Sequence, residues 1–199
     1  MTRNENRKAS RVRKTGETEI DLSVDLDGGP VEISTGVGFF DHMLDSLARH
    51  SGMGLSVDAR GDLDTGSHHT VEDVGIVLGQ AVDEALGDRS GIRRFGSALV
   101  PMDEALAECA LDLSGRGMLV FDAELPVGEI GGFEIETTSE FFGALAREGR
   151  LTVHLELRRG RNVHHSIEAL FKGLALALRS AIEPVEGRGV PSTKGTLTS

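Results

Sequence analysis

The sequence predicts an α+β protein made by internal duplication, and three observations carry that reading. Thr18 to Leu26 alternates apolar and polar residues with the period of two expected of a half-buried strand. Phe39 to Arg49 and Val71 to Leu86 space their apolar residues by three and four, the pattern of amphipathic helices. The second half of the chain then repeats the first in order and in motif.

The elements follow in sequence. Ile20, Leu22, Val24 and Leu26 share one face of the first strand, with Glu19, Asp21, Ser23 and Asp25 on the other. Asp27-Gly28-Gly29-Pro30 has turn chemistry and predicts that Val31 to Ser34 returns beside that strand. Phe40, Met43, Leu44 and Leu47 mark the inner face of the first helix, and Leu55 to Ala59 a short strand. Val74, Val77, Leu78, Ala81, Val82 and Ala85 mark the second helix, which Gly87 ends. Phe95 to Val100, Ala105 to Leu113, Met118 to Ala123 and Leu151 to Leu157 read as strands, and Phe141 to Arg147 and Ile167 to Ile182 as helices. Asp41 to Arg49 lies over Ser139 to Arg147, and His68-His69-Thr70-Val71-Glu72 over His164-His165-Ser166-Ile167-Glu168. Two strand, helix, strand, helix units with helices gathered on one side of their sheets make an α+β architecture.

Composition narrows the function. The 199 residues are 39% hydrophobic and 27% charged, a globular balance. No apolar run approaches the roughly 20 residues needed to cross a bilayer, and the polar, basic Met1 to Lys14 is not a secretory signal, so a cytoplasmic protein is expected. Residues 1–14 carry six Lys/Arg against one acidic residue, and the remaining 15 Lys/Arg face 31 Asp/Glu. The basic segment reads as a solvated arm. The acidic body, without Trp or Tyr, argues against nucleic-acid binding. The single Cys109, in an apolar strand, excludes a multi-cysteine metal site and reads as core.

The repeated motif has a metal-binding pattern. Residues four apart stack on one helix face, so His68 and Glu72 can reach one ion, as can His164 and Glu168. His69 and His165 point about 100° away and suit a different ion. Imidazole with carboxylate fits Mn, Fe, Co or Zn better than Ca or Mg. A single such motif is compatible with a helix start carrying surface imidazoles. Two copies at matching places favour the metal reading, whereas His50 and His154 have no such support and read as structural or surface residues.

From about Arg11 to Leu197 the chain resembles the imidazoleglycerol-phosphate dehydratase family. The resemblance is carried by Gly38-Phe39-Phe40-Asp41-His42-Met43-Leu44, the Gly61 to Asp73 segment, Gly91-Ile92-Arg93-Arg94-Phe95-Gly96 and Pro101-Met102-Asp103-Glu104-Ala105. Leu113-Ser114-Gly115-Arg116, the second His-His-x-x-Glu with Ala169-Leu170-Phe171-Lys172, and Pro191-Ser192-Thr193-Lys194-Gly195 complete it.

The resemblance implies two four-stranded sheets, each packed with two helices (ribosomal S5 domain 2-like). It divides the chain into a basic flexible arm, 1–10, repeat halves 11–92 and 93–183, and a substrate-contacting tail, 184–199. It implies a hydro-lyase of histidine biosynthesis that converts imidazole glycerol phosphate to imidazole acetol phosphate. A 24-mer with two Mn(2+) ions per active site, assembled between subunits, is expected. Metal on the ring nitrogens would favour an imidazolate that expels the hydroxyl through a diazafulvene-like intermediate. Arg94, Arg116, Lys172, Ser192, Thr193 and Lys194 align with phosphate and substrate contacts, and Glu17 with an acid/base carboxylate; His42, His69, Glu72 and Glu168 complete the catalytic set. Glu140 departs from the family, many members of which carry histidine there.

Repeat symmetry suggests two ligand sets: His68 and Glu72 with His165 and Glu140, and His164 and Glu168 with His69 and His42. Two rival readings are a di-metal His/Glu oxidase and a metal-glued assembly protein without catalysis. The oxidase motif has the reverse order, Glu-x-x-His, on long bundle helices.

Overall fold

A computed structural model of the chain describes residues 7–185, 187, 189–193 and 195–197. The first half contributes β1 (Lys8–Lys14), β2 (Thr18–Asp25), β3 (Val31–Ser34), α1 (Gly38–Ser51), β4 (Gly54–Gly61) and α2 (His68–Leu86). The second contributes β5 (Phe95–Met102), β6 (Ala105–Asp112), β7 (Met118–Asp122), a two-residue hairpin β8 (Glu129–Ile130) and β9 (Phe133–Glu134), α3 (Thr137–Glu148), β10 (Thr152–Arg159) and α4 (Val163–Ala181). The sheets run β1-β2-β4-β3 and β5-β6-β10-β7, and in each the last pair is parallel while the others are antiparallel. The duplication predicted from the motifs is therefore a duplication of topology.

Two local expectations are corrected. Val31–Ser34 does not return beside β2; it pairs in parallel with β4, which separates it from β2. The chain crosses from β3 to β4 through α1, and that crossover buries Phe40, Met43, Leu44 and Leu47 against the sheet and its neighbours. Within the basic segment, Lys8–Lys14 is not a solvated arm but a strand paired along β2. Its cations meet the acidic body: Arg7 bonds Asp27 at 2.8 Å, Arg11 pairs with Glu84 at 2.6 Å and Arg13 with Asp73 at 3.0 Å. A charged edge strand of this kind resists pairing with other edges.

The halves share one core rather than forming two. Helix α1 packs along α4, and α2 along α3, so each half lends a helix to the other. Between the sheets Phe141 stacks on Phe171 at 5.1 Å and meets Phe40 edge-on at 5.4 Å, with Phe142 4.7 Å from Phe171. These rings come from α1, α3 and α4. Truncating one to Ala would cost about 3–5 kcal/mol, a large fraction of a domain's net stability.

Glycine sets the α2–α3 distance. A Cβ on Gly75 would lie 2.8 Å from the Phe141 carbonyl, and one on Gly79 would lie 2.8 Å from the Gly149 nitrogen. Gly143 of α3 has open space instead, its nearest neighbour being Leu119 at 3.9 Å. In an open helix interior Ala is better than Gly by up to about 1 kcal/mol. We expect Gly143→Ala to raise the urea midpoint and Gly75→Ala or Gly79→Ala to lower stability by about 1–3 kcal/mol through overpacking. Equal effects of the three substitutions would show that the helix contact is not limiting.

Candidate functional site

Helix α4 begins where Asn162 accepts a hydrogen bond from the His165 amide at 3.3 Å, a side-chain N-cap. The first turn then sets His164 and Glu168 on one face, with Nε2 and Oε2 3.1 Å apart. Because α1 packs on α4, His42 arrives from the other half, its Nε2 3.6 Å from the same Glu168 oxygen. Ligand atoms of His42, His164 and Glu168 all lie within 4.8 Å of one another, the one such group of three or more among the described residues. Phe39 meets the His164 ring edge-on at 5.0 Å.

Glu168 is only 6% exposed. Burial pushes its carboxyl up, but Lys172, 2.7 Å away, together with His42 and His164, holds it below the ordinary range. The site therefore keeps a buried carboxylate ionised beside two imidazoles.

The second motif is built differently. Glu134 of β9 accepts from the Ser67 amide at 2.7 Å, placing a carboxylate at the start of α2, where the helix dipole favours it. His68 Nε2 stands 3.8 Å from Glu72, which also faces Arg147 of α3 at 3.7 Å. Glu140 lies exposed in the first turn of α3, the helix packed on α2. The predicted helix pairing is realised on both sides, but only His42, His164 and Glu168 converge as a three-ligand group.

His69 and His165 turn away from these groups, as their helical phase requires. His69 Nδ1 lies 3.1 Å from Asp62, with Glu17 3.8 Å from Nε2. His165 Nδ1 lies 2.9 Å from Glu104, with Asp103 3.7 Å from Nε2. The hydrogen bond from His165, followed by the Asn162 amide, lowers the Glu104 carboxyl to about 2. His69 lowers Asp62 in the same way, and each histidine is raised chiefly by its carboxylate partner. Sequence reasoning assigned no role to Asp62 or Glu104. Both lie in motif segments, yet contacts across 7 and 61 residues are not encoded in local spacing.

The predicted phosphate residues are dispersed within one chain. Lys172 sits beside Glu168, whereas Arg94 is engaged elsewhere: it forks onto Asp112 at 2.7 and 3.0 Å and donates to the Pro191 carbonyl at 2.6 Å. It adopts φ 78° and lies over the Phe95 ring. Arg94 thus anchors the tail that carries Ser192 and Thr193. Arg116 is exposed beside Gly115, where a Cβ would collide with the Leu197 carbonyl at 1.6 Å. Lys194 lies outside the described residues. Burial pushes the Cys109 thiol up to about 12, in keeping with a core role, and His154 is exposed on the outer face of the second sheet.

A hydrogen bond from a charged donor contributes about 1.5–3 kcal/mol. We expect Arg94→Ala to raise the rate of limited proteolysis within 184–197 by roughly 10–100-fold, with the core intact by circular dichroism. Unchanged cleavage would show that Arg94 does not hold the tail.

Comparison with known proteins gives one consistent result. The family described as imidazoleglycerol-phosphate dehydratase matches residues 35–178. Imidazoleglycerol-phosphate dehydratase of Lacticaseibacillus casei is 55% identical over 96% of this chain and 100% of its own length. The Roseobacter denitrificans protein of the same name is also 55% identical, with the same coverage. The crystal structure of the Staphylococcus aureus dehydratase superposes with TM-score 0.82 at 40% identity, covering 89% of this chain and 99% of that one. The Pyrococcus furiosus structure, in complex with (S)-C348, gives TM-score 0.81 at 39% identity, covering 93% and 99%.

Proposed function

The chain belongs to the imidazoleglycerol-phosphate dehydratase family, a lyase family of histidine biosynthesis, and from that premise we propose how its residues carry the dehydration. The observation that carries the reading is the convergence of His42, His164 and Glu168 from the two halves. Two imidazoles and an ionised carboxylate are a suitable donor set for Mn(2+). A first ion would be held by these three residues with His69 of a neighbouring copy, and a second by His68, Glu72 and Glu140 with His165 of a neighbouring copy. When bound, the two ions supply Lewis acidity and a fixed template for an imidazole ring.

The chain's own residues supply the rest. The proton to be lost sits on a carbon with no adjacent carbonyl, so a placed base matters. Glu17 is exposed at the β1–β2 turn, 3.8 Å from His69 Nε2, with its amide bonded to Thr15 Oγ1 at 3.1 Å. It takes the proton from the carbon next to the one that releases hydroxide, and the resulting enol becomes the ketone of imidazole acetol phosphate. Lys172 and Arg116 bind the phosphate, with the tail residues Ser192 and Thr193 brought to it through Arg94, and Lys194 is a further phosphate contact expected from the family motif. The repeat halves 11–92 and 93–183 act as one catalytic unit, and the tail 184–199 contacts substrate.

Assembly follows from incompleteness. His69 and His165 present their Nε2 atoms away from the triad of their own chain. The outer face of the second sheet exposes Phe95, Leu99, Met118 and Val120 beside the charged Glu108, Asp112 and Glu156, whereas that of the first carries Glu19, Asp21, Asp25 and Asp58 with Val12. Exposed apolar side chains of this kind suit burial between copies, in line with the homo-oligomer, a 24-mer, expected from the sequence. No described helix is long and apolar enough to cross a membrane, and a cytoplasmic location accords with the biosynthetic role.

A coupled assay for imidazole acetol phosphate, with and without Mn(2+), tests the reading; turnover that survives complete chelation removes the metal scheme. We expect Glu140→Ala to lose one ion per subunit and most activity, and His42→Ala to lose the other; two ions retained with full turnover in either would exclude that ligand. Lys172→Ala should lower kcat/KM by roughly 10–150-fold at saturating Mn(2+), the equivalent of about 1.5–3 kcal/mol. Light scattering in excess EDTA should show a smaller particle, since metal binding and association are linked.

A further inference from the structure

The two halves turn their second histidines onto carboxylates by different means. Asp62 follows β4, seven residues before His69, whereas Glu104 lies in the β5–β6 turn, 61 residues before His165. These are not repeat-equivalent positions, so duplication alone does not account for the shared contact. An ionised carboxylate can only accept a hydrogen bond, so Nδ1 of each ring must donate. In a neutral imidazole that leaves the lone pair on Nε2, the atom that faces outward past Glu17 or Asp103.

The carboxylates are themselves held. Glu104 Oε1 accepts from the Asn162 amide at 2.7 Å and the Arg161 amide at 3.2 Å, leaving Oε2 for His165. Asp62 accepts from the Thr65 hydroxyl at 3.0 Å, and its amide donates to the Glu17 carbonyl at 3.1 Å. We propose that Asp62 and Glu104 are positioning residues that fix Nε2 of His69 and of His165 as the metal-ligating atom. This rests on the reading of those histidines as ligands. Carboxylates behind ligating imidazoles orient the ring and raise its basicity, and their loss costs 10–100-fold in metal affinity in other proteins.

Glu104→Gln is the sharper variant. If its carbonyl oxygen keeps the two backbone amides, its NH2 group faces Nδ1 and selects the opposite tautomer, with the proton on Nε2. The test is calorimetric titration of metal-free full-length chain with Mn(2+) alone, for wild type, Asp62→Ala, Glu104→Gln, His69→Ala and His165→Ala. Thermal melts of the metal-free proteins are measured in parallel. We expect Asp62→Ala and Glu104→Gln each to weaken one class of site by about 10–100-fold, with metal-free melting close to wild type. Affinities within twofold of wild type, while the histidine variants lose binding, would overturn the inference and leave the ligand reading standing. Full affinity in the histidine variants would remove the ligand reading and this inference with it. Should Glu104→Gln melt early, Asp62→Ala decides, because Asp62 holds no helix start.

Discussion

The site depends on one packing constraint: each half must lay its helices against those of the other. An amphipathic helix over a small sheet still has an apolar flank to bury, and here α1 finds α4 while α2 finds α3. Gly75 and Gly79 let the α3 backbone come close, and the packed rings of Phe40, Phe141 and Phe171 fill the space between the sheets. His42 reaches Glu168 only because of this exchange. A three-ligand cluster made of both halves, able to hold a metal, is thus a by-product of how the core closes.

Charge is arranged around that core with the same economy. The basic first strand docks through Arg11 on Glu84 and Arg13 on Asp73, so it neutralises part of an acidic body while closing a sheet edge. Glu168 shows the opposite case, a buried carboxylate that stays ionised because Lys172 and two imidazoles surround it. A buried charge left alone would be costly, and the Lys172 ammonium and the imidazole contacts compensate it in place.

The duplication is closest in backbone topology and loosest in side chains. Three residues beyond the motif glutamate stands Gly75 in α2 but Phe171 in α4, so one helix admits a neighbouring backbone and the other drives a ring into the core. Glu140 stands where the first half has His42. Glu17 and Asp103 occupy the equivalent β1–β2 and β5–β6 hairpin tips near the Nε2 of a second histidine, whereas the Nδ1 partners Asp62 and Glu104 do not correspond. Equivalent jobs have been kept while the residues that perform them have drifted.

Periodicity, repeat and motif made much of this protein legible from its residues alone. Alternation in Thr18 to Leu26 and helical spacing in Val71 to Leu86 report burial of one face, a local property, and those elements form where the pattern places them. The i,i+4 pairing of His164 with Glu168 is likewise a consequence of helix pitch. Local pattern was silent on β1, whose one buried apolar residue is Ala9 and whose place comes from long-range pairing with β2 and α2. It also misplaced Val31–Ser34, because a turn sequence does not say which strand edge the chain will find next. Asp62, Glu104 and the engagement of Arg94 with Asp112 and Pro191 came from tertiary structure alone. Hydrogen-bond partners far apart in sequence are chosen by where the folded backbone brings them, and that depends on the packing of the whole chain.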